Sequence, residues 1–241
     1  MRNFDYKPFY RRNLPHIQPP GATFFVTFHL AGSLPRNVLQ QWKREKLRFL
    51  NLTSNADKAT DEHKTFEQQA KYDEWTRQWF RKFEKALDET QSGPVWLKDD
   101  RIAKEVADSM HYLDGKVYHL DAYCIMANHV HVVFAPLPIQ SSDVAQTVRL
   151  PANENDAQTK SLCYNTLSSI MQSLKGYTAR RANQILGRRG PFWQHESYDH
   201  CVRNSNEWQR IIRYVLNNPV KAGLVDEWEK WRWNYYRSVN F

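Results

Sequence analysis

Two runs rich in apolar, β-branched and aromatic residues, KVYHLDAYCIM (116–126) and HVHVVFA (129–135), are separated only by Ala127 and Asn128. Strands joined so closely are most economically a β-hairpin. Side chains alternate across a strand, so His129, His131 and Val133 share one face while Val130, Val132 and Phe134 take the other. Both imidazoles therefore point the same way. Neutral imidazoles on one face can take a divalent metal and leave positions for a third ligand and a substrate oxygen. An H-x-H spacing is weak by itself, and two hydrogen-bonded sheet histidines are the plain alternative.

The rest of the chain supplies elements for this hairpin to pack against. ATFFVTFHL (22–30), between Gly21 and Gly32, reads as a buried strand. Residues 37–89 are charged and helical in pattern, with Phe66, Tyr72, Trp75, Trp79 and Phe83 recurring along them. Two helices joined by the polar link NLTSNADKATDEHK (51–64) are expected, their aromatic stripe serving packing or a partner. A helix follows over about 100–113, and the polar, proline-containing stretch after the hairpin reads as an exposed loop. SLCYNTLSSIMQSLKGYTARRANQIL (161–186) is a long amphipathic helix closed by GRRGP, and FWQHESYDHCV (192–202) reads as a strand. A last helix, with Asn204 or Ser205 as its cap, runs to Pro219. Strand, helix, strand, strand, helix, strand, helix is the order of an α+β, ferredoxin-like sandwich with an antiparallel sheet. One domain over 1–241 is expected, with a helical insertion at about 37–89.

In the last helix Trp208, Ile211, Ile212, Val215 and Leu216 form the apolar face. At about 100° per residue Tyr214 lies roughly 130° from the centre of that face, with Asn218 one turn later beside it. Tyr214 is thus expected to be presented, not buried. An ordinary surface tyrosine and a helix-terminal Asn ahead of Pro219 are the plain readings of the pair.

The net charge of +8 is unevenly placed: residues 1–36 carry five Lys/Arg against one acid, and 160–241 carry thirteen against six. The fold can bring these ends together as one phosphate-binding face, though solvated surface charge fits as well. Three cysteines without C-x-x-C spacing suggest neither a disulfide framework nor a thiolate zinc site, and a reducing cytosol fits. No apolar run approaches the roughly 20 residues of a membrane span, and a cytoplasmic location is expected.

Four blocks, YCIMANHVHVVF, MQSLKGYTARRANQ, FWQHESYDHCVRN and YVLNNPVKAGLV, resemble in order and spacing the REP-associated tyrosine transposases of bacteria. These belong with the single-tyrosine HUH transposases of single-stranded insertion sequences. GATFFVTFHL is similar to their first strand, so the resemblance spans roughly 21–36 and 96–226. It implies that His129 and His131 are metal ligands, that Asn218 falls at the third ligand's place, and that Tyr214 is the nucleophile. Related transposases often carry Gln where Asn218 stands, and the block 37–89 is longer than a compact member needs. The implied cofactor is Mg²⁺ or Mn²⁺. The implied activity is cleavage and rejoining of single-stranded DNA bearing imperfect palindromic hairpins, through a 5′-phosphotyrosine, by a monomer or homodimer. Arg11, Arg12, Lys175, Arg180, Arg181, Arg188 and Arg189 are the candidate phosphate contacts, with Trp193 or Tyr198 as a base-stacking platform or simply core. A non-cutting nucleic-acid-binding regulator and a hydrolase using metal-activated water are the rival readings.

Overall fold

The computed structural model describes residues 21–35, 37–42, 44–45, 48, 62–89, 93–138 and 166–238, with the side chains of 62–73 and 76 left aside. Its centre is an antiparallel sheet of β1 (Thr23–His29), β2 (Tyr118–Ile125), β3 (His129–Pro136), β4 (Tyr198–Val202) and β5 (Asn234–Tyr236). Their spatial order is β4-β1-β3-β2-β5. The first four strands form two interleaved βαβ units. Helix α2 (Asp100–Leu113) connects β1 to β2 with β3 inserted between them, and α3 (Leu167–Ile185) connects β3 to β4 around β1. This is the ferredoxin-like α+β arrangement expected from the order of elements.

The turn at Ala127-Asn128 closes the expected hairpin, with Met126 N donating to His129 O at 2.9 Å. The alternation in β3 divides the protein into two cores. Val130, Val132 and Phe134 join Phe24, Val26 and Phe28 of β1 beneath α2 and α3. Val133, with Phe25, faces the opposite layer, built by α1 (Glu62–Glu89) and α4 (Ser205–Leu216). Within α1, Phe83 and Leu87 are buried and Trp79 and Phe80 pack beside them, so this part of the 37–89 block closes a sheet face. The link from 51 to 61 and the side chains of Phe66 and Tyr72 lie outside the described residues.

Helix α4 begins where its sequence signals it. The Asn204 side chain accepts from Glu207 N at 2.9 Å, and the Glu207 carboxylate accepts from Arg203 N at 2.7 Å. The first bond satisfies a backbone donor that a helix start leaves without a partner, and the second ties the chain just ahead of the cap to the first turn. The short helix α5 (Asn218–Lys221) follows at once, with Pro219 near its start, where a missing N–H costs nothing.

Two expectations change. The strand expected over 192–202 is regular only from Tyr198. Before it, Trp193 makes a single bridge to Leu30, and the carbonyls of Gln194 and His195 turn to the Lys175 ammonium at 2.6 and 2.9 Å. Carbonyls engaged by a side chain are unavailable to a ladder. The second change is β5, which covers the outer edge of β2 and is fastened by Trp231 Nε1 donating to Ile125 O at 3.1 Å. No helix among the described residues is long and apolar enough to cross a membrane.

Candidate metal and tyrosine site

The site grows from β3. His129 and His131 are both buried, on the sheet face covered by α1 and α4. Asn128 orients the first. Its Nδ2 donates to Leu87 O at 2.9 Å, which turns Oδ1 toward His129 Nδ1 at 2.7 Å. Because the amide oxygen only accepts, Nδ1 carries the proton and Nε2 keeps its lone pair. His131 Nδ1 lies 2.8 Å from the Thr27 hydroxyl on the neighbouring strand, which can accept in the same way. The two Nε2 atoms then face each other at 3.1 Å. Two lone pairs so placed repel unless a proton or a cation lies between them.

Glu84 of α1 is the third member. Its Oε2 lies 3.5 Å from His131 Nε2, and one ligand atom from each of Glu84, His129 and His131 lies within 4.8 Å of the others. The same Oε2 accepts a short hydrogen bond from the Tyr214 hydroxyl. Tyr214 is enclosed by His131, Phe80 and Phe25, with ring centroids 5.6, 5.9 and 6.0 Å away. It is half-buried, whereas its helical phase alone suggests a presented side chain. The reason is α1: α4 packs one flank on the sheet through Trp208, Ile212 and Val215 and a second flank, Tyr214, on α1. Asn218 is also buried, 1% exposed; its Nδ2 donates to Tyr214 O at 3.3 Å while Oδ1 has no hydrogen-bond partner.

Burial dominates the protonation of the cluster. It lowers His129 to about 3, with further lowering from the nearby His29, and it holds His131 well below the usual histidine value. Burial also pushes Glu84 up to about 8, against the opposing effect of the Tyr214 hydrogen bond. Tyr214 is raised above the ordinary phenol value by burial and then by the Glu84 charge beside it. A neutral imidazole pair and an unsatisfied carboxylate oxygen, Glu84 Oε1, are what a divalent cation requires. The donor set therefore fits Mn²⁺ or Mg²⁺, with imidazole favouring the former.

Acid should destabilise the metal-free protein. His29, at about 4, and His129, at about 3, bind fewer protons when folded than when unfolded near pH 6.5. Their stabilisation is present above the unfolded value and lost as pH falls below it, by about 1.4 kcal/mol per pH unit for each histidine. Glu84, raised to about 8, acts oppositely, favouring the folded state at low pH and losing that contribution as pH rises toward 8. With His131 also lowered, three imidazoles outweigh one carboxyl. Thermal melts in chelator should show a falling midpoint between about pH 6.5 and 4.5; an unchanged midpoint would contradict neutral burial of the histidines.

The candidate phosphate contacts fall elsewhere. Helix α3 packs on the opposite sheet face from His129 and Tyr214. Arg180 and Arg189 are exposed there, while Arg181 pairs with Glu105 at 2.7 Å. Arg188 stacks over Trp96 at 4.1 Å and donates to Pro191 O. Lys175, lowered to about 8 by burial, also meets Ser197 Oγ at 3.1 Å, completing a clamp on the chain before β4. Trp193 is 7% exposed, packs against Phe28 and donates to Thr178 Oγ1 at 2.9 Å, so it is core and no platform for a base. Tyr198, stacked on Phe80 at 4.3 Å, is core too. Arg11 and Arg12 lie outside the described residues. Two exposed arginines not anticipated as contacts, Arg210 and Arg213, stand on α4 with Tyr214.

Sequence reasoning also missed Glu84, Asn128 and Thr27. A signal for Glu84 was present: Phe80, Phe83, Glu84 and Leu87 follow the i, i+3, i+4, i+7 pattern of a buried stripe, and a carboxylate interrupts it.

No family model matches the chain. A Haemophilus influenzae protein named as a candidate REP-associated tyrosine transposase is 23% identical over 119 residues, which make up 49% of this chain and 59% of that protein. An uncharacterised protein of the same organism is 27% identical over 104 residues, covering 42% of this chain and 54% of its own. The chain thus spans little more than half the length of these curated relatives. A solved structure of a REP-associated tyrosine transposase bound to a REP hairpin aligns with 95% of this chain and 82% of its own, at a TM-score of 0.42 and 13% identity. In its sequence blocks, and in the curated relative that carries the name, the chain is similar to the REP-associated tyrosine transposases.

Proposed function

We propose that the chain, acting as one unit over residues 1–241, is a metal-dependent DNA strand transferase. Its substrate is single-stranded DNA that folds into imperfect hairpins. The observation that carries this reading is the meeting of a tyrosine hydroxyl with two convergent imidazoles and a carboxylate in one buried cluster. Similarity to a relative named for this activity supports the choice of DNA as substrate.

Tyr214 Oη attacks the scissile phosphorus in line, forming a P–O bond to tyrosine while the bond from phosphorus to the 3′ oxygen breaks. The phenol gives up its proton, and the departing 3′ oxygen takes one up to become a free 3′-OH. A 5′-phosphotyrosine retains the energy of the broken diester, so another strand's 3′-OH can reverse the step without ATP. His129 and His131 would hold the ion, with Asn218 as a further oxygen donor. Bound there, Mg²⁺ or Mn²⁺ would supply charge neutralisation on a non-bridging phosphate oxygen. Arg210 and Arg213, on the helix that carries Tyr214, provide phosphate contacts, and the exposed Arg180 and Arg189 add positive charge on the far side of the sheet.

Incubation with hairpin-forming single-stranded DNA and Mn²⁺ tests the reading: a covalent protein–DNA band is expected. Binding without any adduct would favour the regulatory reading, and cleavage without an adduct would favour metal-activated water. Binding should also weaken steeply with salt, with a logarithmic slope of about −0.7 per phosphate neutralised. A flat response between low and physiological ionic strength would remove the arginines from the interface.

A further inference from the structure

Glu84 occupies a position where the inner stripe of α1 calls for an apolar side chain. It is 3% exposed between Phe83 and Leu87, which are equally enclosed. Burying a carboxylate is costly unless charge or hydrogen bonds compensate for lost water. The nearby cation compensates only in part, because Lys221 forms its ion pair with Asp88 at 3.0 Å. Oε2 has the Tyr214 hydroxyl, but Oε1 is buried with no hydrogen-bond partner. The carboxylate stands beside two imidazole Nε2 atoms whose lone pairs converge at 3.1 Å, with its Oε2 3.5 Å from His131 Nε2. Two imidazole lone pairs and a carboxylate, one ligand atom of each within 4.8 Å of the others, define a place for a cation.

We propose that Glu84 bridges the divalent cation and the nucleophile. The carboxylate that accepts from the Tyr214 hydroxyl would also complete the coordination begun by His129 and His131. The inserted helix α1 is then a working part of the site, supplying a ligand that the blocks resembling the transposases do not contain. A carboxylate shared in this way would set the phenol oxygen beside the ion, whose charge would offset that of the carboxylate facing the phenol. The proposal rests on the reading of Tyr214 as nucleophile and of the histidines as metal ligands.

Glu84→Gln keeps the shape of the side chain and removes its charge, so folding is expected to survive; Glu84→Asp keeps the charge and shortens the reach. Mn²⁺ titration of the full chain without DNA, followed by electron paramagnetic resonance, reads coordination independently of activity. Glu84→Gln should weaken Mn²⁺ binding by at least about tenfold, as expected when a group that builds a metal site is lost. Glu84→Asp should retain more affinity than Glu84→Gln. In cleavage assays Glu84→Gln should bind hairpin DNA as tightly as the unmodified protein but cut it slowly, with raised Mn²⁺ restoring part of the rate. Restoration by metal is the readout that a purely structural carboxylate would not give. Wild-type Mn²⁺ affinity in Glu84→Gln, alongside its loss in His129→Ala, would overturn the proposal and leave the histidine site standing. Absence of Mn²⁺ binding by the unmodified protein would overturn both.

Discussion

Tyr214→Phe should abolish both strand cleavage and the covalent protein–DNA adduct while leaving hairpin DNA binding within a few-fold of the unmodified protein. The substitution removes one oxygen, the atom that meets Glu84 Oε2, and leaves the ring among His131, Phe80 and Phe25. A lost hydrogen bond of this kind changes stability by about 1 kcal/mol. Removal of a covalent nucleophile lowers turnover by a factor on the order of 10⁴ to 10⁶. The two scales separate a structural tyrosine from a reacting one. Mass spectrometry of the trapped wild-type complex should place DNA on the peptide containing Tyr214. Cleavage by Tyr214→Phe at the original rate would move the chemistry to water, and an adduct on Tyr177 would move it to another phenol. Tyr177 is 46% exposed on α3, across the sheet, which makes it a sharp control.

His129→Ala and His131→Ala should each eliminate metal-dependent cleavage and Mn²⁺ binding while retaining most affinity for DNA. Each variant removes one of the facing Nε2 atoms, whereas the exposed arginines Arg180, Arg189, Arg210 and Arg213 are untouched. Both histidines are wholly enclosed, so the vacated volume also costs stability, about 2–4 kcal/mol for a side chain of this size. Assays well below the melting transition, checked by circular dichroism, separate that loss from the chemical one. A folded double variant that cleaves at the original rate would end the assignment of the metal site.

The hairpin, its two faces and the caps of α4 could be read from the chain because each is governed by local rules: alternation, a two-residue turn and an Asn at the helix start. The phase of His129 and His131 emerged correctly, and the division of β3 between two cores follows from it. The burial of Tyr214 was not legible. Helical phase reports how far a residue stands from the apolar face of its own helix but carries no information about a second helix on its flank. The aromatic stripe of α1 suggested packing without naming its partner, and the partner turns out to be the site itself. Trp193 and Lys175 mislead for a related reason. Residue type marks each as suited to DNA, while the contacts with Thr178 and with the carbonyls before β4 assign both to internal structure. The second strand pairing of β2, with the three-residue β5, is too short to leave a periodic trace.

The cluster of Glu84, His129, His131 and Tyr214 joins groups as much as 130 residues apart, and the hydrogen bond between the first and last of them crosses that whole interval. Contacts so distant along the chain form late, because loops must close before such pairing is rewarded. During synthesis from the N-terminus, the imidazole pair is made well before the helix that carries the tyrosine has left the ribosome. The order of translation therefore keeps this cluster incomplete until nearly the whole sheet, including β4 beside β1, has been produced.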